Sequence, residues 1–506
     1  MTIRLLARHD KYAANTIVTL DAATEAGLIA AKQATADLTG GVPYVAPPAA
    51  PNQLYPLQVA VDASGNSVGV VGFNGQSVSL GGGGPGSVAI AGIGDSLTYQ
   101  NTYSTSPAVS TNNRSIGFLV WMMQLSDGAV YFDGSLNYGI GGQTSAQVYA
   151  RSAANAADMK ARGARFCTVL VGTNDLNDPS ITEKQVVDNT AGICANLMAQ
   201  GVTPIVIPIL PRAYGSGAGV AITTDMQRTL QRWANGQRNY AKRTPGVMLY
   251  DPTIPLTDQS DALGYPVGRL TPSTTGYTMD GLHLTPRGSF QLGRGLLSLV
   301  KPFLPAYSPR VASQADLYDA TFNPGGNRYT NPFMTGSVAQ NSTGAAGVAA
   351  TGLTIVRQTT AGTGTVTGSK GTRVIDGVTL PTQVCVTSGT GAAIELYRAY
   401  ITLTGLTVGQ LVDAEVALGV SNITAGALTT MQLIVNNGAQ FLYGNRGETG
   451  MYQPDEGWTG TISIPQFTAT NATALLILEW GIDGNVANAT ARVEISRIGF
   501  RSVAPA

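Results

Sequence analysis

The sequence predicts an α/β fold in the middle of the chain, with a small β-rich module before it and an all-β sandwich of jelly-roll type after it. Three observations predict this. Between residues 86 and 305, short apolar runs alternate with helical stretches, the pattern of a doubly wound parallel sheet. Beyond about residue 310 only one lysine, Lys370, follows Lys301, and short strand-like runs recur between Gly/Asn turns. Ahead of residue 86, four prolines within 43–51 and the run Gly81-Gly-Gly-Gly-Pro-Gly86 read as linkers. The predicted domains are 1–85, 86–308 and 309–506.

Composition narrows the function classes. The chain has 506 residues, enough for several domains. Acidic and basic residues balance at 30 each, so net charge advertises no polyanion-binding surface and no nucleic-acid partner is expected. Charged residues make up only 12%, against the usual ~25%. Gly, Ser, Thr, Asn and Ala replace them, as in turn-rich extracellular or virion-type proteins. Three cysteines give no disulfide framework, and Cys167, inside an apolar run, reads as a core residue. With His9 and His283 the only histidines, no metal-ligand spacing exists, and no metal or cofactor is expected. The first residues lack the apolar core of a signal peptide, and no run reaches the ~20 apolar residues of a bilayer span.

In chain order, the module at 1–42 opens with a β-like run and continues with a helix-like stretch from Ala22. Residues 57–61 and 68–73 read as strands, with turns at 62–65 and at Asn74-Gly75. The run Val88-Ala-Ile-Ala-Gly-Ile93 is a buried parallel strand, because it is continuously small and apolar. A buried helix is predicted over 116–125, a second strand over 129–132, a helix over 143–163 and a third strand over 166–171. Residues 181–200 read as a helix capped by Ser180 with Glu183 three positions on. A fourth strand follows over 203–210, a helix over 223–242, a fifth strand over 247–250 and a closing helix over 285–304. In the last third, runs at 400–404, 431–435, 461–465 and 474–480 read as strands. Tyr397, Tyr443, Tyr452, Trp458 and Trp480 could line a carbohydrate surface there, but aromatics in sandwiches mostly pack in the core.

Four short blocks carry chemistry. Gly94-Asp95-Ser96-Leu97 ends the first strand and would hold Ser96 at the carboxyl edge of the sheet. Asn137-Tyr-Gly139-Ile-Gly141-Gly142-Gln-Thr144 follows the second strand, and Gly172-Thr-Asn174-Asp175 closes the third. Asp280-Gly-Leu-His283 stands before the last helix. Taken alone, Gly-Asp-Ser is ordinary turn composition, and Asp280 with His283 could be a helix cap beside a surface imidazole. A serine hydroxyl needs a base to become a nucleophile, and His283 is the only credible one, since His9 lies in the terminal module. Asp280, three residues earlier, could orient its ring.

All four blocks, in this order, resemble the GDSL-type (SGNH) hydrolases, over roughly residues 86–305. The resemblance implies a three-layer α/β/α domain with a five-stranded parallel sheet. It implies a catalytic triad of Ser96, His283 and Asp280. It also implies an oxyanion hole from the Ser96 N–H, the Gly142 N–H and the Asn174 amide. Gly139 and Gly141 read as turn glycines, and Asp95 and Asp175 as loop-holding carboxylates. The stretches Asn15 to Ala31 and Val61 to Asn66 resemble attachment modules of tailed-bacteriophage structural proteins. The polar loop after Ser96, with Arg212, Tyr214, Tyr265 and Tyr277 expected to overhang it, suits an acylated sugar.

The expectation is a virion-borne serine esterase that removes small acyl groups, acetyl first among them, from a surface polysaccharide. Its other partners would be tail proteins, with no membrane partner. Phage spikes, by analogy, point to a homotrimer. The alternatives are a cellular lipase or thioesterase with a β accessory domain, and an inactive glycan-binding receptor protein.

Overall fold

The computed structural model describes residues 87–103, 112–213, 222–261, 264–266, 276–305, 313–359, 362–375, 378–391, 393–448 and 450–502, together with the strands before residue 79. The chain divides into two compact units, Met1–Ser77 and Val78–Ala506. In the first, β1 (Thr2–Leu5) pairs antiparallel with β2 (Ile17–Thr19) and β3 (Ala34–Ala36). β4 (Gln58–Val61) pairs antiparallel with β5 (Ser67–Val71), and β6 (Ser77–Val78) follows. The expected helix from Ala22, both linkers and the turns at 62–65 and 74–75 lie outside the described residues.

The second unit opens with β7 (Val88–Gly94), buried at every position as a strand covered on both faces must be. Ser96–Tyr99 forms the short helix α1; β8 (Thr102–Tyr103) and β9 (Asn112–Asn113) pair antiparallel. Helix α2 (Phe118–Leu125), strands β10 (Val130–Tyr131) and β11 (Asn137–Gly139), and helix α3 (Ser145–Ala161) follow. Then come β12 (Ala164–Leu170), α4 (Glu183–Ala199), β13 (Thr203–Val206), α5 (Thr224–Arg243) and β14 (Met248–Leu249). The short α6 (Thr253–Leu256) and α7 (Pro286–Val300) complete the set. The parallel sheet runs β10-β7-β12-β13-β14, and β11 takes up the same edge of β7 further along, Gly139 opposite Gly94. β10 and β11 therefore share one place, and the sheet is five strands wide. The chain leaves β7 toward one side and crosses back to β12 on the other. That order puts a ligand crevice at the carboxyl ends of β7 and its neighbours.

The helices pack on this sheet in two groups, α2 with α7 and α3 with α4 and α5. Two boundaries differ from expectation. Ser180 does not cap α4: its hydroxyl and N–H both bond Asp178 in a turn. The cap is Thr182, in a reciprocal capping box with Gln185. The fourth strand stops at Val206 rather than Leu210, although Ile207 still donates to the Val169 carbonyl at 3.0 Å.

From residue 338 the chain is β throughout. Its strands are β15 (Val338–Ala339), β16 (Ala345–Ala349), β17 (Thr354–Arg357), β18 (Thr365–Ile375), β19 (Val378–Ser388) and β20 (Ile394–Leu403). β21 (Leu411–Ser421), β22 (Leu428–Asn437), β23 (Gln440–Gly444), β24 (Trp458–Thr468), β25 (Ala474–Asp483) and β26 (Thr490–Ser502) complete it. Two sheets result, β15-β16-β18-β19-β26-β21-β24 and β17-β20-β25-β22-β23. Pairing is antiparallel except between β16 and β18. Both sheets contribute to one core, which holds Tyr397, Trp458 and Trp480. Those three aromatics are buried packing residues and line no open surface. Tyr452 is half-buried and donates to Asp483 at 2.7 Å, and the Arg446 guanidinium lies over the Tyr443 ring.

The α/β region and the β region are joined by packing. Trp121 of α2 is fully buried and meets Phe290 of α7 and Trp458 of β24 edge-to-face, each at 5.2 Å between ring centres. A Cβ on Gly460 would come within 2.4 Å of the Gln124 carbonyl, so β24 lies directly on the end of α2.

Candidate active site

Ser96 begins α1 directly after β7. Asp95 caps that helix, its Oδ1 accepting the Leu97 N–H at 3.0 Å, and this fixes the tight turn that presents Ser96. As the first helical residue, Ser96 has an N–H that no helical carbonyl can reach. The turn can be this tight because of two glycines. A Cβ on Gly94 would strike the Leu170 carbonyl at 2.3 Å, and one on Gly139 the Tyr99 nitrogen at 2.1 Å. Gly139 is thus a close-approach residue inside β11, which corrects its reading as a turn glycine.

His283 and Asp280 lie in a loop before α7. Asp280 Oδ1 accepts the N–H of His283 at 2.7 Å and of Leu282 at 3.0 Å, and Met279 N–H closes the loop on the His283 carbonyl at 2.8 Å. The other carboxylate oxygen, Oδ2, meets His283 Nδ1 at 2.6 Å, and His283 Nε2 meets Ser96 Oγ at 2.8 Å. Three side chains thus form one hydrogen-bonded line across 187 residues of sequence. Burial pushes the Asp280 carboxyl up. The hydrogen bond and charge of His283, with the two N–H donors, outweigh this and hold it below its ordinary value. Asp280 stays ionised beside the ring.

Gly142 is exposed in a turn at φ 77°, a conformation that favours glycine, and a Cβ there would meet none of the described residues within 4 Å. The Asn174 amide donates to the Gln143 carbonyl at 2.9 Å. An amide nitrogen carries two hydrogens, so this bond orients the group and leaves a second donor. Asp175 is buried and binds Ser145 through its N–H at 2.7 Å and its hydroxyl at 2.5 Å, tying the 142–145 turn to the 173–177 turn. Arg151 adds a further clamp, donating to Gln143 Oε1 at 2.7 Å and to the Gly94 carbonyl at 2.9 Å.

Two expected wall residues are elsewhere. Arg212 is 2% exposed and donates to the Thr173 carbonyl at 2.7 Å, under the site rather than over it. Its burial lowers its pKa against the pull of Asp95 and Asp280. Tyr265 is buried in a small core with Trp233 and Leu230. Tyr277 is half-buried, and Tyr214 lies outside the described residues, as does the stretch 104–111 of the loop after Ser96. The buried Asp95 is a further departure from ordinary loop chemistry. Burial raises its carboxyl to about 7, against the Leu97 N–H and the charges of His283 and Arg212. Among the described residues no cluster of His, Cys, Asp and Glu could hold a metal ion, and no helix is long and apolar enough to cross a membrane.

Residues 93–289 match the sequence profile of the GDSL-like lipase/acylhydrolase family. The chain carries a GDSL-type acylhydrolase domain. This domain is that of a serine ester hydrolase. Among solved structures, the chain is similar to a GDSL-like lipase from Bacteroides thetaiotaomicron at 18% identity and TM-score 0.30, over 42% of this chain and 86% of that one. It is similar to an acetyl xylan esterase at 18% identity and TM-score 0.31, over 42% and 100%. A carbohydrate esterase of family 3 from Talaromyces cellulolyticus matches at 16% identity and TM-score 0.29, over 44% and 100%. No curated protein sequence matches the chain.

Proposed function

We propose that the GDSL-type domain removes small acyl groups, acetyl first among them, from a bacterial surface polysaccharide. Ser96 Oγ attacks the ester carbonyl while His283 Nε2 takes its proton, and Asp280 stabilises the imidazolium that forms. The oxyanion is held by the Ser96 N–H, the Gly142 N–H and the free hydrogen of the Asn174 amide. His283 then protonates the departing sugar oxygen. Water attacks the acyl-enzyme with His283 again as base, releasing the carboxylic acid and Ser96.

The observation that carries the substrate class is the opening beside the Gly141–Gly142 turn among the described residues. Gly141 and Gly142 are exposed, Gln143 and Asn174 are half-buried, and no described residue lies within 4 Å of where a Cβ of Gly142 would point. A pendant acyl group on a bulky polymer can reach such a site. A long acyl chain would gain from a continuous apolar groove instead. The burial of Arg212 and Tyr265 removes two of the expected sugar contacts, so the substrate reading rests on this opening.

We further propose that the enzyme acts outside the cell, at the bacterial surface, as part of a bacteriophage tail spike or fibre. The first module would join other tail proteins, and the C-terminal sandwich would contact glycan or form a homotrimer. Support for this is the likeness of Asn15 to Ala31 and Val61 to Asn66 to phage attachment modules. The test is acetate release from acetylated polysaccharides, beside esters of increasing acyl length. Acetate release by wild type and not by Ser96→Ala is expected. Activity that rises with acyl length contradicts the proposal and favours a lipase.

A further inference from the structure

We propose that the C-terminal β region is part of the catalytic apparatus, with Arg287 and Asp455 acting as a strut that positions His283. This rests on the assignment of His283 as the base. Arg287 is the second residue of α7, four positions after His283, and is 8% exposed. A buried cation in the first turn of a helix faces the positive end of the helix dipole and is unfavourable unless compensated. Its compensation comes from the β region. The guanidinium forms an ion pair with Asp455, and its Nε donates to the Gln453 carbonyl at 3.2 Å. Asp455 is itself fixed, its Oδ1 accepting the Gly426 N–H at 2.9 Å.

Between the strut and the imidazole the backbone has little freedom. Thr285 caps α7 while donating its hydroxyl to the Gly276 carbonyl at 2.7 Å, and its N–H goes to the Tyr277 carbonyl at 3.0 Å. A Cβ on Gly288 would lie 2.2 Å from that same Tyr277 oxygen. A shift of Arg287 is thus passed to the 277–285 loop.

The same edge of the β region also holds the nucleophile side. The Ser115 N–H donates to the Arg446 carbonyl at 2.9 Å, the Arg446 N–H to the Asn113 carbonyl at 2.8 Å, and Arg114 pairs with Glu448 at 2.7 Å. The Arg114 N–H in turn bonds the Asn101 carbonyl, and the Asn101 side chain donates to the Thr98 carbonyl of α1 at 2.7 Å. Residues 446–448 and 453–455 of the β region therefore brace both ends of the Ser96–His283 hydrogen bond.

The experiment uses the full chain with Asp455→Asn, Arg287→Gln and Arg287→Lys, each first checked for a native near-ultraviolet spectrum. Asp455→Asn keeps the shape and removes only the charge, so it reports even where Arg287→Gln fails to fold. For a soluble acetyl ester, kcat is expected to fall roughly 10–100-fold in Asp455→Asn, the scale for small misplacement of a catalytic group, with KM within about twofold. Arg287→Lys should recover part of what Arg287→Gln loses. The chain has two histidines, so the imidazole of His283 can be followed directly by NMR. Its Nδ1–H resonance, bonded to Asp280, should broaden or shift in Asp455→Asn. A folded Asp455→Asn with unchanged kcat and an unchanged His283 resonance overturns the strut. Because the resonance is read without substrate, the strut is tested even if wild type proves inactive on every ester.

Discussion

Among the described serines, Ser96 is the one whose hydroxyl meets His283 Nε2, at 2.8 Å. Ser96→Ala should therefore abolish ester turnover and leave the circular dichroism spectrum unchanged. Asn174→Ala should lower kcat by roughly 10²–10³ with little change in KM, since the lost donor acts on the oxyanion and not on the bound ester. Steady-state kinetics on one acetyl ester checks both. Asp95 gives a pH prediction. Its carboxyl sits at about 7 in the folded protein against an ordinary 3.8. Between these values the folded state holds a proton that the unfolded state has released. The stabilising contribution is thus complete below pH ~4 and is lost as pH rises through ~7. Asparagine mimics the protonated acid, so the stability of Asp95→Asn should fall less over this window, by on the order of a few kcal/mol. Parallel pH–stability curves for the two proteins would contradict it. The line of Ser96, His283 and Asp280 was legible because a serine nucleophile needs an imidazole base and the base an orienting carboxylate, and this chain offers few candidates for the base. Arg212 was not, since nothing local says whether an arginine after a buried strand points outward or, as here, beneath the site.

Among the elements, β7, β11 and α1 act as one device, in which two glycines let three backbones approach. Gly139→Ala should push β11 off α1, at a cost of about 1–3 kcal/mol and with a loss of activity larger than any loss of fold. Thermal unfolding and kcat measured on the same sample separate the two effects. Element types in the α/β region were readable because buried parallel strands are continuously apolar. Their ends were less so. Ser180 and Thr182 both precede the α4 pattern, and only the competing turn around Asp178 decides that Thr182 is the cap. The long strand β21 was hidden because Asp413 and Glu415 interrupt its apolar run, although both are buried. Glu415 pairs there with Arg497 of β26, a partner that local pattern does not reveal.

At the scale of the molecule, the sequence divides at about residue 308, but the core does not stop there. Trp121, Phe290 and Trp458 come from both sides of that point. Trp458→Ala should cost about 3–5 kcal/mol and lower Tm, because the cavity opens between α2 and β24 where neither can collapse. Thermal unfolding measures it, and an unchanged Tm would mean that the regions are only tethered. Such contacts join residues more than 150 apart, as in the Arg287–Gln453 bond, and no sequence window spans them. Everything in the mechanism depends on Ser96 being the nucleophile of an ester hydrolase. The most direct test is to treat the full chain with a fluorophosphonate, which phosphonylates activated serines, and to locate the adduct by peptide mass spectrometry. One adduct is expected, on Ser96, formed as activity is lost and absent in His283→Ala. An unmodified Ser96 in a protein that still hydrolyses esters would contradict it.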